Sequence, residues 1–492
     1  MIPQIQLVYG PPGTGKTTEL MRLLEIELGQ GTPKDKVAFV TFTRKGAEVG
    51  IDKAIEKFGG IDSDYPWFRT LHSLAFRALN LKKTDLLSRK DYKTLSDVLG
   101  LHFVGHYTNE GVHGDDRYLF FDELMRNNTI EAETYKDTIN YATAMKVRMY
   151  YKDYKYRSKK KDFTDILEDF VCAKIEIPVD VVFIDEAQDL TTLQWHVVYT
   201  AFKNAKKIYI AGDDDQAIFQ WAGADIQRFL NLKSSLAPIY LNHSWRLTDE
   251  VLAVAKGITS LIQDRVKKEY SSRGERGVVE WVNDVKEIEI EQGKNYLFLC
   301  RNTRFLKKPE EFLQKKGLHY ELNGTNILRI TDIKSISQWE QLREVRGPLP
   351  SYLSILGQTL IDEVNIDMPW YEAFDWEEEI IEFYQEYIRK HKNLNWSELE
   401  VSARIELKEK PQFQISTIHR TKGAEADIVV LFLDMSVKTY KDYIRRPDQE
   451  NRVLYVAVTR AKEKLILVNP STKWSYKLLT DWRGDGQELF SK

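Results

Sequence analysis

The chain has 492 residues, of which 42% are hydrophobic and 29% charged, and its formal net charge is −3. This length favours several domains, and the balanced charge excludes a generic polyanion binder, so any contact with nucleic acid must come from local patches. Two cysteines exclude a disulfide framework and argue against a zinc site, and no apolar run reaches membrane-spanning length. Because the N-terminus also lacks a signal-peptide pattern, we expect a protein of a reducing cytoplasm, bacterial or phage-infected, with no membrane partner.

The first predicted strand, residues 5–9, runs directly into the glycine-rich loop GPPGTGKT. This loop fits the phosphate-loop pattern before an amphipathic helix, although an ordinary Gly/Pro turn is the alternative. Its glycines let backbone N–H groups surround phosphate oxygens, and the helix N-terminus favours negative charge. Lys16 would reach the terminal phosphates, and the Thr17 hydroxyl would complete a Mg²⁺ shell. The nucleotide-binding residues predicted by the pattern are Gly10, Gly13, Thr14, Gly15, Lys16, Thr17 and Thr18.

Further strand-like segments recur along the chain in two groups, and most are apolar throughout. The first group is residues 37–41, 181–184, 208–211 and 239–241, and the second is 296–300, 415–418, 428–433 and 465–468. Such runs indicate central strands of parallel sheets that are covered on both faces. Residues 80–160 and 335–410 have mixed helical periodicity instead. The pattern predicts an α/β fold with two cores, each carrying a mostly helical insertion.

The first insertion contains a basic stretch, residues 146–161, in which eight Lys and Arg alternate with four Tyr. We expect this stretch to contact phosphates, with a solvated helix face as the alternative. The acidic residues 362–400 of the second insertion should not do so.

Two adjacent carboxylates, Asp185 and Glu186, open the run DEAQD directly after the strand at 181–184. Open α/β sheets bind ligands at this end of their strands. Asp185 can hold Mg²⁺ there while Glu186 orients and deprotonates an attacking water. A solvated loop is the alternative for this carboxylate run, residues 185–189.

A third block, GDDDQAIFQWAGA at residues 212–224, follows the strand at 208–211. Together with the phosphate loop and the carboxylate run, it resembles superfamily 1 helicases of the UvrD/Rep type. Six further blocks match in chain order: TFTRKGAEV at 41–49, TLHSLAFRAL at 70–79, DFTDIL at 162–167, LNHSWRL at 241–247, STIHRTKGAEADIVVL at 416–431 and NRVLYVAVTRAKEKL at 451–465.

The resemblance implies an ATP-driven motor on single-stranded DNA, with two RecA-like P-loop domains that close around ATP and Mg²⁺. Domain 1A would comprise residues 1–80 and 161–238, and its insertion 1B residues 81–160. Domain 2A would comprise residues 239–334 and 411–492, and its small acidic insertion 2B residues 335–410. We expect a monomer in the free state that binds single-stranded DNA and junctions with duplex. The sensor block, residues 212–224, resembles the branch that moves 3′ to 5′.

The resemblance also implies catalytic roles. Glu186 would be the catalytic base, Lys16 would bind phosphates, and Gln216 would sense the terminal phosphate. Arg246 and Arg460 would come from the second core and neutralise charge on the transferred phosphoryl group. Read alone, each arginine would be an ordinary surface ion pair.

Other matched residues would contact the nucleotide or the DNA. Gly423 and Glu425 would approach the phosphate and ribose, and Trp245 would stack on adenine, with a core residue as the alternative. The residues on which bases would stack are Phe42, His72 and Trp221, with the region of Phe219 added. Core packing is the alternative for these aromatics as well.

Three departures from the family limit these assignments. An adenine-reading glutamine usually stands well before the phosphate loop, whereas only nine residues precede Gly10, leaving Gln4 or Gln6. Arg44 and Gly46 replace commoner residues in the TFTRKGA block, and the second insertion is short and acidic. Two rival functions stay open: a DNA remodeller that does not unwind, and a motor on RNA. Fewer than thirty residues follow Lys464, which argues against an added nuclease domain.

Overall fold

The computed structural model describes residues 3–105, 114–127, 140–345, 369–373, 376–409 and 411–477. The chain divides into two compact units. The first unit comprises Met1–Glu275 with Tyr443–Thr459, and the second comprises Arg276–Asp442 with Arg460–Lys492. None of the helices in the described ranges is long and apolar enough to cross a membrane.

Six described strands form a parallel sheet in the first unit. They are β1 (Gln4–Tyr9), β2 (Val37–Thr41), β3 (Trp67–Thr70), β4 (Val181–Ile184), β5 (Lys207–Gly212) and β6 (Ile239–Tyr240). Their order across the sheet is β3-β2-β4-β5-β1-β6. Alternate residues of β4 enter different cores, since Val182 packs in one apolar cluster and Phe183 in another. Both faces of the central strands are therefore covered, which is why their sequences are apolar throughout.

Helices cover this sheet and form the first insertion. The described helices are α1 (Lys16–Gly29), α2 (Arg44–Phe58), α3 (Leu71–Ala78), α4 (Arg89–Leu99), α5 (Asp116–Arg126), α6 (Tyr141–Ser158), α7 (Phe163–Cys172), α8 (Thr192–Ala201), α9 (Ile226–Leu230) and α10 (Asp249–Ser260). Threonines start two of them directly after strands: the Thr43 and Thr70 hydroxyls accept hydrogen bonds from Gly46 N–H and Ser73 N–H. Such N-caps satisfy helix N–H groups that would otherwise lack partners.

Helices α4, α5 and α6 pack around a core of their own, which includes Leu119, Phe121 and Val147. The predicted basic stretch lies mainly on α6, and its residues have two different environments. Tyr156 is 85% exposed, whereas Lys155 is buried and forms ion pairs with Asp162 and Asp165. Only part of the stretch can therefore face a ligand.

The second unit contains a sheet of seven described strands. They are β7 (Val278–Val282), β8 (Tyr296–Cys300), β9 (Tyr320–Leu322), β10 (Thr325–Asn326), β11 (Phe413–Thr417), β12 (Ala426–Phe432) and β13 (Ala461–Val468). The order is β10-β9-β11-β8-β12-β13-β7, and the pairs are parallel except β9 with β10. That hairpin turns at Asn323 and Gly324, both with positive φ, as a two-residue Asn-Gly loop requires.

The remaining described helices are α11 (Lys307–Gln314), α12 (Ile330–Val345), α13 (Trp370–Ala373), α14 (Glu378–Lys390), α15 (Trp396–Lys408), α16 (Val437–Arg445) and α17 (Pro447–Val458). Helices α12 to α15 share an aromatic core that includes Trp339, Trp370, Phe383, Tyr384 and Tyr387. The prediction of two parallel-sheet cores with mostly helical insertions is confirmed.

Two segments lie in a different unit from the prediction, which assigned residues 239–334 and 411–492, with Arg246, to the second core. Residues 239–275 and Tyr443–Thr459 belong to the first unit instead. Strand β6 pairs with β1 in the first sheet, through Val8 with Ile239 and Tyr9 with Tyr240. The Tyr240 ring stacks on the Tyr9 ring at a centroid distance of 5.2 Å. Edge pairing and this stack hold the segment and Arg246 in the first unit.

Candidate nucleotide site and nucleic-acid surface

Six blocks of the first unit lie at the carboxyl ends of its strands. Because the strands are parallel, these ends share one edge of the sheet. The carboxylate run follows β4, the sensor block follows β5, the phosphate loop follows β1, and the SWR segment, residues 241–247, follows β6. We call this part of the edge the nucleotide half. The TFTRKGA and TLHS blocks follow β2 and β3 and form the aromatic half.

The phosphate loop is compact and needs its glycines. Gly13 and Gly15 have φ values of 72° and 83°, a region that side chains disfavour. The Lys16 side chain folds back over the loop, where Nζ donates to the Gly10 carbonyl at 2.9 Å and lies 3.9 Å from Glu186 Oε1. A Cβ atom at Gly10 would overlap the Lys16 side chain. The backbone therefore forms a tight cradle at the N-terminus of α1, as an anion site requires.

Asp185 and Thr17 meet beside this loop. The Thr17 hydroxyl donates to Asp185 Oδ2 at 2.8 Å, and Glu186 N–H donates to Asp185 Oδ1 at 2.9 Å. Burial and the neighbouring Glu186 raise the pKa of Asp185 to about 6, against the opposing effects of Lys16 and Thr17. A carboxylate and a hydroxyl oxygen are donors that Mg²⁺ accepts, and a cation would favour the ionised form of Asp185. These residues therefore fit a magnesium site.

Glu186 has a left-handed backbone, with φ 55° and ψ 39°. For a residue other than glycine this conformation costs about 1–3 kcal/mol, and such strain is concentrated at functional sites. The fully buried Gln188 supports it: its Nε2 donates to Glu186 Oε2 at 2.5 Å, and its Oε1 accepts Asp213 N–H at 3.1 Å. Gln188 thus connects the predicted base to the sensor block. The sequence analysis assigned it no role, although it lies inside the carboxylate run.

The sensor block carries Gln216 between the phosphate loop and the carboxylate run, because β5 lies between β1 and β4. Gln216 is buried, and its Nε2 donates to Asp213 Oδ2 at 2.7 Å. The partner of this block is Lys268, which the sequence patterns did not indicate and which forms ion pairs with the three successive aspartates. Lys268 lies outside all nine blocks, so no motif could have identified it.

The SWR segment is hydrogen-bonded to the phosphate loop. Trp245 N–H donates to the Gly13 carbonyl at 2.9 Å, and the Ser244 hydroxyl donates to the Pro12 carbonyl at 2.7 Å. The Trp245 side chain is 73% exposed, so it is not a core residue. Arg246 Nη1 donates to the Thr459 carbonyl at 3.3 Å. The segment thus places an exposed indole beside the loop.

The remaining predicted nucleotide residues lie in the second unit. Arg460 is buried, and its Nη1 donates to the Ala424 carbonyl at 3.2 Å. Gly423 has a φ of 86°, and Glu425 pairs with Lys462 at 2.8 Å. The structure brings these residues together at the start of β12 and β13. Their assignment to the nucleotide stays a prediction.

The aromatic half contains half-buried rings in pairs. The Phe42 and Phe219 rings stack at a centroid distance of 5.4 Å, which joins the TFTRKGA block to the sensor block. His72 contacts Phe163 at 6.0 Å, and burial together with Arg44 lowers the pKa of His72 to about 4, so the ring is neutral near pH 7.

Two further aromatic residues, Phe120 and Phe163, extend this surface beyond the predicted set. The ring centroids of Phe120, in the first insertion, and Trp221 are 6.1 Å apart. Phe163 is 57% exposed at the start of α7. The DFTDIL block contains Phe163 and could have identified it, whereas Phe120 lies in no block.

Comparisons with known proteins agree with the resemblance. The family model for the UvrD/REP helicase N-terminal domain matches residues 2–237, and that for the UvrD-like helicase C-terminal domain matches residues 371–472. The ATP-dependent DNA helicase PcrA of Staphylococcus aureus strain Mu50 is 24% identical over 366 residues, covering 65% of this chain and 48% of that protein. PcrA of Staphylococcus epidermidis is 25% identical over 359 residues, covering 65% and 49%. The chain therefore spans about half the length of the curated relatives it matches.

A solved Arterivirus structure, nonstructural protein 10 (helicase) with DNA, covers 95% of this chain and 62% of its own chain at 12% identity. Its TM-score of 0.35 is too low to bear on function. The two family models together match most of the sequence, and five of the blocks in the N-terminal match lie at one edge of the parallel sheet in the first unit. The chain belongs to the UvrD/Rep family of superfamily 1 helicases.

Proposed function

We propose that this chain is an ATP-dependent DNA helicase or translocase that moves 3′ to 5′ along single-stranded DNA. The observation that carries the proposal is the shared edge of the first sheet. Residues suited to hydrolysis occupy the nucleotide half, and paired aromatic rings occupy the neighbouring half. The 3′ to 5′ direction rests on the resemblance of the sensor block alone.

Nucleotide binding would begin in the phosphate loop. Lys16 would exchange its hydrogen bond to Gly10 for the terminal phosphates of ATP. The lost bond has a charged donor and contributes about 1.5–3 kcal/mol, and the phosphate oxygens that replace the neutral carbonyl carry the opposite charge. Trp245, exposed beside the loop, would stack on the base. Gly423 and Glu425 would contact the phosphate and ribose.

Hydrolysis would depend on Glu186. One of its carboxylate oxygens, Oε2, accepts from Gln188, which orients the carboxylate that would take the proton of an attacking water. The water oxygen would bond to the terminal phosphorus as the bond from phosphorus to the bridging oxygen breaks, releasing ADP and phosphate. Thr17 and Asp185 would hold Mg²⁺, which neutralises charge on the phosphate oxygens when bound. Gln216, Arg246 and Arg460 would stabilise the charge that develops.

DNA would bind along the aromatic half, where bases would stack on Phe42, His72 and Trp221. Each stack contributes about 1–3 kcal/mol without demanding sequence, which suits translocation on single strands and at junctions with duplex. Phe219, which stacks on Phe42, follows Gln216 by three residues in the chain. A movement of Gln216 would therefore be passed directly to a ring on which bases stack. We propose this contact as a link between hydrolysis and grip, within the division into domains 1A, 1B, 2A and 2B but with residues 239–275 and Tyr443–Thr459 in the first unit.

The test is ATPase activity of the full chain with and without single-stranded DNA. We expect stimulation by oligo-dT, and loss of at least 100-fold in Lys16→Ala and Glu186→Gln, since a general base contributes about 10²–10⁴-fold. Glu186→Gln should still bind ATP. Glu25→Gln is a matched control, because Glu25 is an exposed carboxylate on α1 that pairs with Lys57. Turnover that DNA does not stimulate, or that both variants retain, would contradict the proposal. Parallel assays with oligo-U distinguish DNA from RNA.

A further inference from the structure

Lys268 is a buried lysine in the loop after α10. Its side chain is 2% exposed, and its Nζ lies 2.9 Å from Asp213 Oδ1 and 3.0 Å from Asp215 Oδ2. Nζ also donates to Asp214 Oδ1. The side chains of all three aspartates are fully buried. One ammonium group therefore contacts each carboxylate of the GDDDQ sequence.

The charges around this lysine are nearly balanced. Arg265 forms a bidentate ion pair with Asp215, in which Nε donates at 2.8 Å and Nη2 at 2.6 Å. Burial opposes the charge of Lys268, but the three carboxylates raise its pKa, so it stays protonated. Burial raises the pKa of Asp214 to about 6 despite Lys268. Buried carboxylates need such partners, because an unpaired charge away from water is strongly unfavourable.

Asp213 transmits the position of Lys268 to Gln216. Its Oδ1 contacts Lys268, its Oδ2 accepts from Gln216 Nε2 at 2.7 Å, and its N–H donates to Gln188. The Lys268 ammonium thus holds one oxygen of the Asp213 carboxylate, and the Gln216 amide donates to the other. The carboxylate therefore orients the Gln216 amide. Removing Lys268 would take away the cation contact to Asp213 Oδ1 and leave this oxygen its longer hydrogen bond from Asp215 N–H, at 3.3 Å, so the carboxylate would be held less firmly.

The same cluster also holds helix α17. Arg452 on this helix donates to the Asp214 carbonyl at 2.9 Å and to the Asp264 carbonyl at 2.5 Å. The hydroxyls of Tyr455 and Tyr270 are hydrogen-bonded at 2.9 Å. Helix α17 ends at Val458, two residues before Arg460 in the chain. The loop containing Lys268 and Tyr270 therefore contacts both the sensor block and helix α17, which carries the first part of the block at residues 451–465.

We propose that Lys268 is a positioning residue for ATP hydrolysis, which acts through Asp213 to hold the Gln216 amide in its productive orientation. This inference rests on the proposed role of Gln216 as sensor of the terminal phosphate. A misplacement of about 1 Å at such a group can cost about 100-fold in rate without weakening substrate binding. Lys268 touches no reacting atom itself.

Three variants of the full chain test this role. Lys268→Met removes the cation but leaves three buried carboxylates, so we expect it to be strongly destabilised. Lys268→Met with Asp214→Asn removes one charge of each sign. Asp214 Oδ1 accepts from Lys268 and its Oδ2 from Val266 N–H, whereas Gln216 Nε2 donates to Asp213. Asp213→Asn keeps the shape of Asp213 and removes its charge. The matched control is Lys207→Met, which removes a lysine from the buried Glu27, 2.8 Å away.

The measurements are kcat and KM for ATP with saturating oligo-dT, together with the thermal unfolding midpoint. We expect the double variant and Asp213→Asn to unfold within a few degrees of wild type, with kcat lowered at least tenfold and KM within twofold. Their effects on kcat should not add, because both act through Asp213. Lys207→Met should keep its kcat. A double variant or Asp213→Asn with wild-type kcat would overturn the proposal, as would losses of kcat that only follow the folded fraction. If Lys16→Ala hydrolyses ATP at the wild-type rate, the proposed function itself is contradicted. That result is distinct from a failure of the proposal for Lys268.

Discussion

Alanine at Gly13 should disrupt the contact between the phosphate loop and the SWR segment. Gly13 has a φ of 72°, and its added Cβ would lie 2.5 Å from Arg246 Cβ and 2.9 Å from Ser244 Oγ. Ser244 and Arg246 cannot move away easily, because Ser244 and Trp245, the residue between them, are hydrogen-bonded to the phosphate loop. The substitution therefore perturbs both the loop and the segment that carries the exposed indole.

The expected magnitude has two parts. The left-handed backbone costs an alanine about 1–2 kcal/mol, and forcing extra volume into packed structure costs about 1–3 kcal/mol more. Gly31→Ala isolates the first part, because Gly31 has a φ of 95° and its Cβ would meet no atom of the described chain within 4 Å. We expect a loss of about 2–5 kcal/mol for Gly13→Ala and about 1–2 kcal/mol for Gly31→Ala.

Urea denaturation gives both losses, and binding of a fluorescent ATP analogue gives the functional effect. Gly13→Ala should weaken nucleotide binding at least tenfold, whereas Gly31→Ala should leave it unchanged. Equal destabilisation by the two substitutions, with nucleotide affinity intact in both, would refute the reasoning about the SWR segment.

Four other substitutions test separate parts of the structure. Trp245→Ala should raise the KM for ATP about tenfold in steady-state assays, since a base stack contributes about 1–3 kcal/mol, and phenylalanine should restore it. Phe42→Ala should weaken oligo-dT binding about 5- to 100-fold by fluorescence anisotropy, with ATPase activity in the absence of DNA unchanged. Arg126→Met should cost about 1.5–3 kcal/mol in urea denaturation, because it removes charged hydrogen bonds to Asp162 and Asp165 while Lys155 still pairs with both. The hydrogen bond to Glu406 raises the pKa of His391 above 6.5, so its stabilising contribution is full below pH 6.5 and is lost as pH rises through the folded pKa. His391→Gln should remove this pH dependence from the unfolding midpoint.

The strands and the phosphate loop could be predicted because local patterns determine them. Strands β2, β4 and β8 begin and end where the apolar runs do, since both faces of each strand are buried. The sheet to which β6 belongs could not be predicted in this way. A two-residue strand has little pattern of its own, and its pairing with β1 depends on tertiary neighbours such as Tyr9.

Partners that are distant in sequence also escaped prediction. Lys268 contacts Asp214 from 54 positions away, and no spacing rule connects them. Lys155 looked like part of a basic surface, but the acidic DFTDIL block buries it through Asp162 and Asp165. A charge run predicts a solvated face only when no opposite charge packs against it.

Strand displacement from matched duplexes with a 3′ or a 5′ single-stranded tail tests the proposed motor most directly. With ATP, the wild-type chain should displace the strand from the 3′-tailed duplex only, and Glu186→Gln should displace neither. Preference for the 5′-tailed duplex would contradict the proposed direction. ATPase activity without displacement, even at high enzyme concentration, would contradict unwinding and favour a remodeller.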